Sequence, residues 1–259
     1  MQSLRFLPPS TESLDSAADL VISACRRAFG NNLVCVTLKG SAARGDFIRG
    51  YSDFDFHIYV KPEAMDGDRT PKAAYAIEFQ RAFGHVNPED FGVSQFQIYF
   101  LNSESYPSDW LPPIEGTYRV LWGQHSALTH DSRKEDANEI ARQHLAGLAD
   151  AGRSIVGRFV DKPDTRIVDI VRLLGTTLKG YMYSALVLMC ESPEQAFSLD
   201  LNGMIQVMES NTGSGHFRGF FRHVNDWTEV RNDPEKARTA FAEGLEALQD
   251  IGQWFAHLN

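Results

Sequence analysis

Residues 38–60 read LKGSAARGDFIRGYSDFDFHIYV. A short apolar run meets a Gly-Ser turn, then passes through a pliable loop into two aspartates set one residue apart at the head of an apolar run. Burying a carboxylate is costly unless a positive or hydrogen-bonding group faces it. Either 54–60 is not a strand, or something positive sits against Asp53 and Asp55. If it is a strand, its period of two puts the two carboxylates on one face of a sheet.

The surrounding pattern favours the strand. Helical periodicity over 13–29 ends at Gly30-Asn31-Asn32, and 33–38 is a β-branched run. A helix over 71–83 opens at Pro71, a third strand runs over 93–101, and a fourth over 118–122 is stopped by Gly123. From 131 onward the pattern turns helical. One long helix is expected over 131–160, a second over 164–190, a third over 192–209 opened by Ser192-Pro193-Glu194, and a last over 233–255. Residues 212–227, TGSGHFRGFFRHVNDW, read as an inter-helix loop because of their glycines. The expected fold class is an α/β (α+β) N-terminal domain with a small mixed sheet over 1–128, followed by an all-α helical bundle over 129–259.

A lone Gly-Ser is usually an ordinary turn, and a lone Asp-x-Asp usually a solvated strand edge. Together, between two strands, they form a more specific pattern. Gly40 permits close backbone approach, Ser41 adds a hydroxyl, and amides exposed at a helix start attract phosphate. No Gly-Lys-Ser/Thr follows, so this is not a Walker loop. Two same-face carboxylates beside such a turn suit magnesium, whose other ligands come from substrate phosphate.

Gly40, Ser41, Ala43-Arg44-Gly45 and Ser52-Asp53-Phe54-Asp55, with 11 residues between Ser41 and Asp53, resemble the signature of the polymerase-beta-like nucleotidyltransferase superfamily. The later strands and helical half are similar in outline to its bacterial antibiotic-modifying (aminoglycoside-type) members. The resemblance implies that the amides of Gly40 and Ser41 hold a nucleoside triphosphate, with Arg44 beside them, and that Asp53 and Asp55 coordinate Mg²⁺. It also implies a lysine from the helical half on the triphosphate. Lys179 is the candidate, since Arg172 and Lys179, seven residues apart, project on nearly one helix face. The bland reading pairs Arg172 with Asp169 and sends Lys179 to solvent.

Active members of that superfamily usually carry a third carboxylate on a later strand. Here the inward positions of GVSQFQIYFLN are Gln95 and Gln97, and an amide is no general base. Glu89, Asp90 and Glu104 flank the strand as ordinary loop acids, and nothing singles out Glu191 or Asp169 in the helical half. The resulting expectation is a Mg²⁺-dependent enzyme that moves AMP from ATP onto a hydroxyl of a small molecule, aminoglycoside-like acceptors being favoured. The alternative is a catalytically weak or inactive, antitoxin-like nucleotide-binding relative. A third reading takes Arg218 and His223 as the Arg-x4-His pair of a HEPN-type ribonuclease.

Composition limits the partners. A formal charge of −9 disfavours non-specific nucleic-acid binding. Three cysteines with no short spacing argue for a reducing compartment. The longest uncharged stretch of the apolar region, 180–190, is too short for a membrane span. With no signal-peptide core at residues 1–14, a cytoplasmic protein with no membrane partner is expected. The resemblance leaves a homodimer open, and no exposed stripe argues for one. Tyr181, Tyr183, Trp110, Trp122, Trp227 and Trp254 read as packing residues.

Overall fold

The computed structural model describes residues 4–6, 9–105, 107, 114, 116–124 and 134–258. The chain divides into two compact units, Phe6–Ser132 and Arg133–Asn259 with Met1–Arg5. Trp110, read as a packing residue, and the expected boundary at 128 lie outside the described residues.

The first unit is an α/β layer. Strand β1 (Leu33–Lys39) is antiparallel to β2 (Phe54–Val60) on one side and to β4 (Arg119–Gly123) on the other, while β3 (Phe96–Asn102) runs parallel to β2, giving the order β3-β2-β1-β4. The sheet is therefore mixed. Alternation along the strands sorts their side chains. Val36, Leu38, Phe54, Phe56 and Ile58 go to one face and join a core with Leu14, Ala17, Val21, Cys25 and Phe29 of helix α1 (Thr11–Phe29). Phe79 and Phe83 of α3 (Ala73–Phe83) belong to the same core, and Phe100 sits 5.2 Å from Phe29 and 5.1 Å from Phe79 between ring centres. The other face carries Asp55, His57, Gln97 and Tyr99, because Asp55 is in register with Gln97 and His57 with Tyr99.

The expected third strand, 93–101, begins later than predicted. Ser94 and Gln95 form an irregular approach to it: the Ser94 amide donates to Ser52 O at 3.1 Å, and Gln95 O accepts from the Phe54 amide at 3.2 Å. Helix α2 (Gly40–Arg44) is a single turn between β1 and the loop to β2.

The second unit is helical. The single helix expected over 131–160 is two, α4 (Lys134–Ala146) and α5 (Leu148–Phe159), separated at Gly147, whose amide donates to His144 O at 3.0 Å. Helix α6 (Asp164–Met189) follows the prediction, with Leu174, Leu178, Met182 and Leu186 fully buried. The helix expected over 192–209 is also two, α7 (Pro193–Ser198) and α8 (Leu201–Thr212). Asp200 restarts the chain as an N-cap, accepting from the Gly203 amide at 2.8 Å.

The expected loop over 212–227 is largely helix: α9 (His216–Asn225), then α10 (Trp227–Asn232). The glycines misled the prediction. Phe217, Phe220, Phe221 and Val224 recur at i, i+3, i+4 and i+7, and all four are buried, which outweighs roughly 1 kcal/mol for one helical glycine. Gly219 is also where α11 (Pro234–Ala256) comes close, since a Cβ there would strike the Glu243 carboxylate. Gly244 on α11 has the same role, because a Cβ would fall 2.7 Å from Leu174 and 2.8 Å from Phe220. Tyr181 is buried and stacked on His144, and Tyr183 is stacked on Phe197, as expected of packing residues.

Candidate active site

Every polar side chain of interest in the first unit stems from one end of the sheet. There β1 ends at Lys39, β2 begins at Phe54 and β3 begins at Phe96. The chain leaves β1 through Gly40 at φ +70°, a conformation that L side chains rarely adopt. A second constraint acts at the same residue. A Cβ on Gly40 would lie 3.0 Å from Asp55 Cγ and overlap its Oδ2, so the Asp55 carboxylate occupies the space that any other residue at 40 would fill. The glycine of the turn and the second aspartate are thus one packing unit.

Asp53 is held differently. Ser94 Oγ donates to its Oδ1, and Gln95 Nε2 donates to its Oδ2 at 3.1 Å. Ser94 Oγ also approaches Tyr51 O at 3.0 Å. Gln95, one of the two amides where a third acid was sought, is a positioning group for the first carboxylate. Ser52 turns inward: its buried Oγ accepts from the Ile48 amide at 2.9 Å and closes the loop before β2.

Asp55 stands between two side chains in register, Lys39 on β1 and Gln97 on β3. Burial draws the Lys39 ammonium down to about 8, against the pull of Asp55 to keep it charged and with the help of nearby Arg44. Tyr99, whose hydroxyl donates to Gln97 Oε1 at 3.3 Å, is shifted upward by burial and by the charges of Asp55 and Asp53, so it stays a proton donor near neutral pH. Arg44 stands 3.6 Å from Asp46, whose side chain is 1% exposed. Arg44 thus has a structural task as counter-ion to a buried carboxylate.

The sheet therefore gathers Gly40, Ser41, Arg44, Asp53 and Asp55 at one edge of the unit. Lys179 lies on α6 in the helical unit, partly buried. Lys39 is a further charged residue at this end of the sheet, and its sequence signal is its place immediately before Gly-Ser, at the end of a strand that pairs with the Asp-x-Asp strand.

None of the candidates for a third acid joins Asp55 in its row. Glu89 and Asp90 sit in a 3-10 turn, Pro88–Phe91, where Asn87 Nδ2 donates to Asp90 at 3.3 Å. Asp169 accepts from Arg166 Nε in a pair exposed on α6. Among the described residues, no group of three or more His, Cys, Asp or Glu side chains could hold a metal ion, and no helix is long and apolar enough to cross a membrane. In the helical unit Arg218 is engaged with Glu209, its Nη2 donating at 2.9 Å and its Nε at 3.2 Å. Five residues along a helix carry His223 about 140° away around α9.

No family model matches the chain, and no match was found among curated proteins.

Proposed function

We propose that the chain is a magnesium-dependent nucleotidyltransferase of the polymerase-beta-like kind, transferring AMP from ATP to a hydroxyl of a small molecule. The observation that carries this reading is the packing of the Asp55 carboxylate into the space left by Gly40, with Asp53 fixed two residues away. A turn that must be glycine and a carboxylate that must sit on it make sense together where phosphate and carboxylates share one cation. Two hard oxygen donors, with substrate phosphates completing the shell, fit Mg²⁺, which commonly takes only one or two carboxylates from a protein. When bound there, the ion would offset charge developing on the transferring phosphoryl group.

The chain's own residues have these tasks in the scheme. The amides of Gly40 and Ser41 hold the triphosphate. Ser94 and Gln95 keep Asp53 in one orientation. The acceptor hydroxyl oxygen attacks the α-phosphorus in line, the bond to the bridging oxygen breaks, and pyrophosphate leaves while the acceptor proton passes to solvent or a base. An aminoglycoside-like acceptor suits the acidic net charge of −9.

One observation favours a second reading, a nucleotide-binding protein with weak or no transfer. Gln97 is the β3 residue in register with Asp55, and it can neither ligate as a carboxylate nor take a proton. Loss of a general base typically removes about 10²–10⁴-fold of rate. Incubation with α-labelled ATP, Mg²⁺ and a panel of aminoglycosides and other polyols separates the two. Label on an acceptor that is lost in Asp53→Asn supports the transferase. ATP binding without transfer to any acceptor supports the second reading.

A further inference from the structure

Lys39 is a cation that the fold sets directly beside Asp55, one of the two candidate metal carboxylates. Its place is fixed by pairing: Lys39 on β1 is in register with Asp55 on β2, and Asp55 in turn with Gln97 on β3. Paired residues project to the same face of a sheet, so the row across the site reads ammonium, carboxylate, amide. Two acids of the loop between α2 and β2 have partners of their own. Asp53 takes hydrogen bonds from Ser94 and Gln95, and Asp46 faces Arg44. A two-metal clamp on attacking and leaving oxygens needs enough carboxylate charge to hold both ions. This site has two carboxylates, with Gln97 on one flank of Asp55 and Lys39 on the other.

We propose that Lys39 takes the place of a second metal ion, making this a one-metal site in which the lysine ammonium binds a phosphate oxygen of the nucleotide beside Asp55. The proposal rests on the nucleotidyltransferase reading and deepens it. It also fits the amide on the other flank: a site that keeps a cation on Asp55 from β1 has no need of an acid at 97 to recruit another ion. Lysine suits the task as a compact point charge on phosphate.

The test counts ions and measures nucleotide affinity without requiring turnover. Mn²⁺ is titrated into the full chain with a non-hydrolysable α,β-methylene ATP analogue, free Mn²⁺ being read by electron paramagnetic resonance against the analogue alone. Wild type is expected to saturate at one Mn²⁺ per complex. Lys39→Gln is expected to weaken binding of the Mn²⁺–analogue complex by about tenfold or more, and Lys39→Arg to restore it to within about threefold. Two Mn²⁺ per wild-type complex would overturn the proposal, and this count needs no variant to fold. So would a Lys39→Gln protein of unchanged circular dichroism that binds as tightly as wild type. If wild type does not bind the analogue, or Asp53→Asn and Asp55→Asn bind it equally well, the nucleotidyltransferase reading falls and the role of Lys39 with it.

Discussion

Gly40→Ala puts the geometry of the site to a quantitative test. Two separable costs meet at this residue. Holding a residue with a Cβ at φ +70° costs about 1–2 kcal/mol. The added methyl also collides with the Asp55 carboxylate, and overpacking of a tight site typically costs about 1–3 kcal/mol more. The expected loss is therefore roughly 2–5 kcal/mol, and at about 4 °C per kcal/mol for a unit of this size the melting temperature should drop by roughly 8–20 °C. Urea unfolding followed by circular dichroism measures it, and the cycle with Asp55→Ala apportions it. Without the carboxylate the collision disappears, so Gly40→Ala should then cost only the backbone part, leaving a coupling of about 1–3 kcal/mol. Either of two results would refute the reasoning: a loss below about 0.5 kcal/mol, or the same penalty in both backgrounds.

Other outcomes follow from neighbouring groups. Arg44→Met should destabilise the first unit by about 3–5 kcal/mol, because it removes the counter-ion 3.6 Å from the buried Asp46 carboxylate, and Arg44→Met/Asp46→Leu should recover most of that loss in the same urea assay. Lys39 carries a folded-state value of about 8 against an ordinary 10.5, so the unfolded chain binds more protons between those values. Its burial penalty is full below about pH 8 and is relieved as pH rises toward 10.5, a gain of up to about 3 kcal/mol that Lys39→Met should abolish in stability measured against pH. His216 behaves oppositely. Its hydrogen bond to Asp250, at 2.9 Å, holds its proton on, so the stabilisation is complete below about pH 6.5 and is lost as pH climbs through the raised folded value. With the imidazole 42% exposed the effect should stay under about 1 kcal/mol, and Asp250→Asn should lower the ring's NMR titration midpoint.

Local pattern was enough to fix several elements. The strands at 33–38 and 54–60 and the helices of α1, α6 and α11 were legible because apolar spacing repeats at two or near 3.6 residues. So was the identity of Gly40, Ser41, Asp53 and Asp55 as a set, since close sequence spacing tied them to one turn and one strand face. Reading glycine as a breaker hid α9, whose four buried apolar side chains decide the matter only once α11 is there to receive them and Glu243 to fill the space beside Gly219. The breaks at Gly147 and Asp200 were hidden for a related reason, because a cap competes with continuation and packing decides which wins. The partners of the carboxylates depended wholly on tertiary structure. Strand order and register are set by pairing between segments far apart in sequence, and that pairing turned Gln95 into a donor to Asp53, placed Gln97 beside Asp55, and brought Lys39 to its other side.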